Sequence, residues 1–247
     1  MTDDGVAAAQ IAELAGARLL ELRARGGPAD ELKAAGDRTS HELIIAELQR
    51  RFPDDAVLSE EAADDPIRLG RERVWIIDPL DGTREFSEPP RDDWAVHVAL
   101  VVGGVLTVGA VALPGRDLTL STATPAPMPA AHDGPLRLLV SRTRPTEHAR
   151  VLAEQLGADL VPMGSAGAKA MAVVLGEADI YAHSGGQYEW DSAAPVAVAA
   201  AAGMHVSRLD GSPLRYNQAN PWLPDVLICR PELAARVIEL CRSAEAT

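Results

Sequence analysis

Asp78 and Asp81 stand three residues apart in the stretch Val74-Trp75-Ile76-Ile77-Asp78-Pro79-Leu80-Asp81-Gly82-Thr83, and paired carboxylates beside a glycine turn are the materials of a metal and phosphate site. The apolar, β-branched run before Asp78 reads as a strand over 73–77. Pro79 and Gly82 would then supply a sharp chain reversal that lets both side chains converge. Backbone N–H groups at Gly82 and Thr83 are left for an anion, while the carboxylates ask for a divalent cation. Asp, Pro and Gly are also the commonest turn residues, so the stretch has a plainer reading as an acidic β-turn.

Other carboxylates fall at the ends of predicted elements, where a scaffold aims residues into a cleft. Glu60 closes a short strand over 55–60, Asp191 lies near the start of an alanine-rich helix over 191–202, and Asp37 lies just before a helix over 39–51. Each has an alternative role, as a solvated edge for Ser59-Glu60-Glu61 and as a helix cap for Asp37 and Asp191. Brought together, Glu60, Asp78, Asp81 and Asp191 would suit Mg²⁺, a hard cation that takes carboxylate and water oxygens and keeps positions open for phosphate. Such ions activate water and stabilise the leaving oxygen of an in-line phosphoryl transfer. No Gly-rich loop ending in Lys-Ser/Thr, dinucleotide fingerprint or Gly-x-Ser-x-Gly elbow offers a competing chemistry.

The elements that must position these residues follow from periodicity. Ile11, Leu14, Ala15, Leu19 and Leu22 predict a helix over 6–25, and Thr39-Ser40 followed by Glu42 reads as the cap of the second helix. Residues 94–113 predict two antiparallel strands joined near Gly103-Gly104, with a further strand over 117–121. The proline-rich segment 122–135 divides an N-terminal α+β part (1–134) from a C-terminal α/β part (135–247). There, strands over 136–141, 159–162 and 178–182 alternate with helices over 145–157 and 166–176, and a helix over 231–243 closes the chain, so helices should pack on sheet faces.

With 36 acidic against 23 basic residues, the net charge of -13 argues against nucleic-acid polymers and anionic membranes as partners. A phosphorylated small molecule would need a metal or a local basic patch; Arg142, Arg144 and Lys169 are the candidates for the latter. Tyr181 and His183 are weaker candidates for a substrate wall, and Lys169 has a solvent-facing alternative. The two cysteines, Cys229 and Cys241, are too few for a disulfide scaffold or a four-ligand zinc site. Together with a start that does not read as a signal peptide, they point to a cytoplasmic protein. The long apolar run from Val96 is broken by His97 and Gly103-Gly104 and suits a buried hairpin better than a membrane span.

Ser59-Glu60-Glu61, the Asp78 to Thr83 box and Trp190-Asp191-Ser192-Ala193-Ala194, in that order, resemble the lithium-sensitive, Mg²⁺-dependent phosphatase superfamily of inositol monophosphatase, fructose-1,6-bisphosphatase and bisphosphate nucleotidase. The resemblance covers nearly the whole chain and implies an α/β (α+β) fold layered αβαβα, with two sheets. It implies two or three Mg²⁺ ions held by Glu60, Asp78, the Leu80 carbonyl, Asp81 and Asp191, with Asp37 and Thr83 aligning the attacking water. Asp81-Gly82-Thr83-Arg84-Glu85-Phe86, Val140 to Pro145, Gly164 to Lys169 and Gly176 to Tyr181 look most like the CysQ-type 3′(2′),5′-bisphosphate nucleotidase branch. The implied substrate is 3′-phosphoadenosine 5′-phosphate, with its phosphosulfate analogue, and inositol or fructose phosphates as alternatives; a non-catalytic phosphonucleotide-binding protein is a further one. Inhibition by Li⁺ and a homodimer are also implied. Where the family continues its Trp-Asp helix with Ala-Ala-Gly, this chain has Ala193-Ala194-Pro195, which a first helical turn would accommodate.

Overall fold

The computed structural model describes residues 3–131, 133–143 and 145–245; Arg144 lies outside the described residues. Helix α1 (Asp3–Arg25) buries Ile11, Ala15 and Leu19 as its spacing predicts, although Leu14 stays exposed. Helix α2 (Ala29–Arg51) begins at Ala29 rather than near Thr39, because the Ala-, Glu-, Leu- and Lys-rich residues after Pro28 are good helix formers. Asp37 therefore lies inside α2, which corrects both its expected place before the helix and its alternative role as the cap. Ser40 is not a cap either: it is buried, and its Oγ donates to the Pro79 carbonyl at 2.6 Å, anchoring the acidic box.

Strands β1 (Ala56–Ser59), β2 (Arg73–Asp81), β3 (Ala95–Val102), β4 (Val105–Leu113) and β5 (Leu118–Ser121) form one sheet in sequence order, with the four-residue helix α3 (Thr83–Phe86) between β2 and β3. Only β1 and β2 run parallel in it. Then follow β6 (Arg137–Ser141), α4 (Glu147–Leu156), β7 (Asp159–Met163), α5 (Ala166–Val174), β8 (Ile180–His183), β9 (Gln187–Tyr188) and α6 (Glu189–Ala201). The chain ends with β10 (His205–Ser207), β11 (Trp222–Leu223), β12 (Val226–Cys229) and α7 (Ala234–Glu245). The second sheet has the order β10-β12-β8-β6-β7, and β9 with β11 makes a short antiparallel ribbon.

Helices α1 and α2 cover one face of the first sheet and α5 and α6 the other; the second sheet lies beyond them, closed by α4 and α7. This is the αβαβα layering that the resemblance implied. Among the described residues, no helix is long and apolar enough to cross a membrane.

Strand β2 does not stop at Asp78. It runs on to Asp81, with Asp78 opposite His97 and Asp81 opposite Ala95, so β2 holds one residue more than β3 between those pairs. Such a bulge has a direct consequence for side-chain direction. Strict alternation would send residues three apart to opposite faces, whereas the extra residue returns both aspartates to the face turned toward α6. Pro79, which has no N–H for the ladder, sits in the interruption.

Helix α6 approaches that face closely: a Cβ on Gly109 of β4 would stand 2.7 Å from both the Ala194 carbonyl oxygen and the Ala197 Cβ. We expect Gly109→Val to overpack this contact and to lower the melting midpoint by roughly 3–10 °C in a thermal scan of the metal-free protein.

Candidate metal centre and substrate pocket

The bulge of β2 and the first turn of α6 bring Asp78, Asp81 and Asp191 together, each offering a carboxylate oxygen within 4.8 Å of the others. Asp78 and Asp81 are buried and Asp191 half-buried. Asp191 is a helix cap and a member of the cluster at once: its Oδ2 accepts the Tyr188 N–H at 2.6 Å, which caps α6, and its carboxylate lies beside those of Asp78 and Asp81. Pro195, by contrast, sits inside α6 rather than in its first turn, because the helix begins at Glu189; the Asp191 carbonyl thus has no N–H four residues on. All three offer hard oxygens, a donor set able to hold a divalent cation such as Mg²⁺.

The three carboxyls are not equivalent. Burial, and then repulsion from Glu60, Asp81 and Asp191, pushes Asp78 well above the usual carboxylate range; its Oδ1 accepts the Leu80 N–H at 3.0 Å. Burial and the Asp81 charge raise Asp191 to about 7. Asp81 goes the other way, to about 2: burial alone would raise it, but His97, the Ser165 hydroxyl at 2.5 Å and the Gly167 N–H at 2.6 Å outweigh that effect. The last two donors lie at the start of α5, where the helix dipole also favours an anion. Ser165, held at φ 47°, caps α5 through the Ala168 N–H while bonding Asp81, so two partners fix a backbone conformation that is strained for a serine.

Glu60 adjoins the cluster through Asp78. The residue as a whole is exposed, yet its carboxyl is sheltered enough that desolvation, with repulsion from Asp81, Glu61 and Asp37, raises it to about 7. On the neighbouring wall Thr83 Oγ1 stands 3.4 Å from Asp37 Oδ1 and 3.1 Å from the Leu80 carbonyl. Burial, and secondly the Glu61 charge, raise Asp37 to about 6, within reach of a base at neutral pH.

His97 adjoins the cluster, a place that the sequence alone does not give it. It is fully buried on the face that carries Asp78 and Asp81; its Nδ1 is 3.0 Å from the Trp190 carbonyl and its Nε2 3.3 Å from Asp81 Oδ2. The Nε2 contact is poorly aligned for a hydrogen bond but close enough for electrostatic attraction. A Cβ on Gly167 would overlap that Nε2 at 2.0 Å, so glycine is required where α5 meets the histidine. The signal available in the sequence was a lone histidine in an otherwise apolar strand.

A cavity of about 280 Å³ opens beside the carboxylates, lined among others by Gly82, Thr83, Ser165, Lys169, Ser141 and Arg142. Lys169 turns inward, not to solvent. Its buried ammonium donates to the carbonyls of Ser165 at 2.7 Å and Gly164 at 3.3 Å and lies 5.3 Å from the centre of the Tyr181 ring. Burial lowers its pKa, against the attraction of Asp81 and Glu85. Arg142 stands at the rim, bound by Nε and Nη2 to Glu85 and by Nη2 to Glu88. Tyr181 is buried below Lys169, and His183 Nε2 meets the Gly186 carbonyl at 3.0 Å. A larger cavity, about 710 Å³, lies toward the other end of α6 near Gly104 and Leu214, away from the carboxylates.

Two sheets separated by a helix layer, with acidic ligands on the facing strand and helix, define the layered sugar-phosphatase class. A profile of the inositol monophosphatase family matches residues 5–246, and the chain belongs to that family. It is 54% identical over 230 residues to the 3′-phosphoadenosine 5′-phosphate phosphatase of Mycobacterium bovis, covering 89% of this chain and 86% of that protein. The Mycobacterium leprae protein of the same name is 50% identical over 254 residues, covering 97% and 93%. The crystal structure of CysQ from Bacteroides thetaiotaomicron superposes with a TM-score of 0.76 at 28% identity, covering 91% of this chain and 96% of that one.

The raised carboxyls set the sign of a stability test. Asp78, Asp191 and Glu60 bind protons more tightly in the fold than in the unfolded chain, so their ionisation destabilises the metal-free protein as pH rises from about 4 to about 7. Asp78→Asn should therefore raise the melting midpoint of chelator-treated protein at pH 8 and flatten its decline between pH 5 and 8, while lowering kcat at least about 10²-fold. Thermal melts with and without chelator, beside an activity assay, check both outcomes.

Proposed function

We propose that this chain is a Mg²⁺-dependent phosphomonoesterase that removes the 3′-phosphate of 3′-phosphoadenosine 5′-phosphate, giving AMP and phosphate. The observation that carries this reading is the direct junction of two sites. Asp81 is bonded to Ser165 Oγ, and the Ser165 carbonyl holds the buried Lys169 ammonium, so a substrate whose phosphate sits at the carboxylates has a second anion-binding group close by. An ammonium has three donors, of which two go to carbonyls, leaving one for that anion. The names of the mycobacterial relatives support the same substrate, and the 5′-phosphosulfate analogue would meet the same groups.

Glu60, Asp78, the Leu80 carbonyl, Asp81 and Asp191 are the residues that would hold two or three Mg²⁺ ions. Bound there, Mg²⁺ supplies Lewis acidity toward phosphate oxygens and lowers the pKa of water. The chain's own part is alignment and proton acceptance. The Thr83 hydroxyl has one proton for two acceptors, Asp37 and the Leu80 carbonyl. A proton given to Asp37 would leave the Leu80 carbonyl for a cation, and the Thr83 hydroxyl oxygen, an acceptor in either case, would orient the attacking water. Attack is direct, without a phosphoenzyme. A cytoplasmic enzyme belongs to this reading, consistent with Cys229 and Cys241 forming no disulfide.

The deciding assay is phosphate release with and without Mg²⁺ from 3′-phosphoadenosine 5′-phosphate, inositol 1-phosphate and fructose 1,6-bisphosphate at equal concentration. The expected result is Mg²⁺-dependent preference for the nucleotide; preference for either other ester would move the substrate class, and nucleotide binding without any release would refute catalysis. Asp37 must be ionised to accept the proton, so kcat should fall as pH drops through about 6. Asp37→Asn should abolish that acid limb and cost about 10²- to 10⁴-fold in kcat, which a pH profile would show.

A further inference from the structure

Aromatic residues are scarce in this chain, at four Trp, three Tyr and two Phe. Among the described residues only Tyr188 and Trp222 are exposed, at 42% and 47%. These two are not scattered. The β9–β11 ribbon pairs them in register, with ring centroids 5.3 Å apart and planes at 82°. Tyr188 also stacks on half-buried Trp190, at 4.6 Å and 9° between planes. Gly186 makes room for the arrangement, since a Cβ there would stand 2.0 Å from the Trp222 ring.

The location of this ledge gives it meaning. Tyr188 immediately precedes α6, and its N–H is bonded to Asp191 Oδ2, so the ledge lies within one helical turn of a cluster carboxylate. Lys169 and Ser165 belong to the start of α5, on the Asp81 side of the same cluster. The start of α5 thus carries a cationic pocket and the start of α6 an exposed π-surface, and each start is hydrogen-bonded to a carboxylate of the cluster. Solvent-exposed aromatic faces gathered at one point mark a contact surface, and flat π-systems stack on them without needing a hydrogen-bond pattern.

We propose that Tyr188, Trp190 and Trp222 form the nucleobase subsite of the enzyme, stacking the adenine while the carboxylates and the Lys169 pocket take the two phosphates. This rests on the nucleotide reading above and adds the residues that would make the enzyme prefer a nucleotide over a base-free ester. Tyr188 and Trp222 supply the accessible surface; Trp190 backs Tyr188 and joins it to the core.

The test compares kcat/KM for 3′-phosphoadenosine 5′-phosphate with that for ribose 3,5-bisphosphate, which keeps both phosphates and lacks the base. Wild-type protein should favour the nucleotide. Trp222→Ala and Tyr188→Ala should each shrink that preference about tenfold, chiefly through KM for the nucleotide, and Trp222→Phe should retain most of it. A merely structural role would lower both substrates together and leave their ratio intact, which would overturn the proposal, as would variants that keep the wild-type ratio. If wild-type protein cleaved neither bisphosphate but did cleave inositol 1-phosphate, the nucleotide reading itself would fail and the subsite with it. Wild-type cleavage of both bisphosphates without preference would refute the subsite alone.

Discussion

Three aspartate oxygens held within 4.8 Å repel one another, and much of the surrounding structure answers that repulsion. Asp81 receives the most help, from the start of α5, the Ser165 hydroxyl and the buried His97. Asp191 is steadied by a backbone N–H at the start of α6. Asp78 is fully buried and faces the other carboxylates, with the Leu80 N–H as its backbone donor, so its pKa stands well above the usual carboxylate range. The place least compensated by the protein is thus the centre of the cluster, where a divalent cation has the most to stabilise.

Bringing those groups together depends on parts of the chain that carry no ligand. Helices α5 and α6 form the middle layer and serve both sheets, so each can aim its first turn at the carboxylates while its sides are packed. A second network lies behind them. Arg68, almost wholly buried, binds Asp64, the Asn217 side chain and the Gln218 carbonyl; the N–H groups of Asn217 and Gln218 in turn bond Glu189, two residues before Asp191. The segment after Glu60 is in this way fastened to the base of α6, and the two ends of the cluster share one support.

The acidic box, the central hairpin and the alternation of strands and helices after residue 136 were legible because each rests on local pattern. What remained hidden was non-local. The bulge that turns Asp78 and Asp81 to one side is a matter of register against β3, and nothing in the sequence of β2 displays it. Thr39-Ser40 reads as a helix start, yet Ser40 serves Pro79 across the fold while α2 continues through it. Strands β10 to β12 leave little local signal because they are short and find partners far along the chain. Tyr188 and Trp222 are likewise joined only by a two-residue ribbon, and no spacing rule would couple them.

The tight seat of α6 on β4 has a bearing on evolution as well as on packing. With no side chain at Gly109, helix and sheet touch through backbone and small groups, so their separation cannot drift without opening a void or forcing an overlap. Asp191 rides on that helix, and Asp78 and Asp81 on a strand of that sheet. The distance across the carboxylate cluster is therefore calibrated by a glycine and two alanines outside it. Substitutions there would change the spacing of the three carboxylates while leaving every one of them in place.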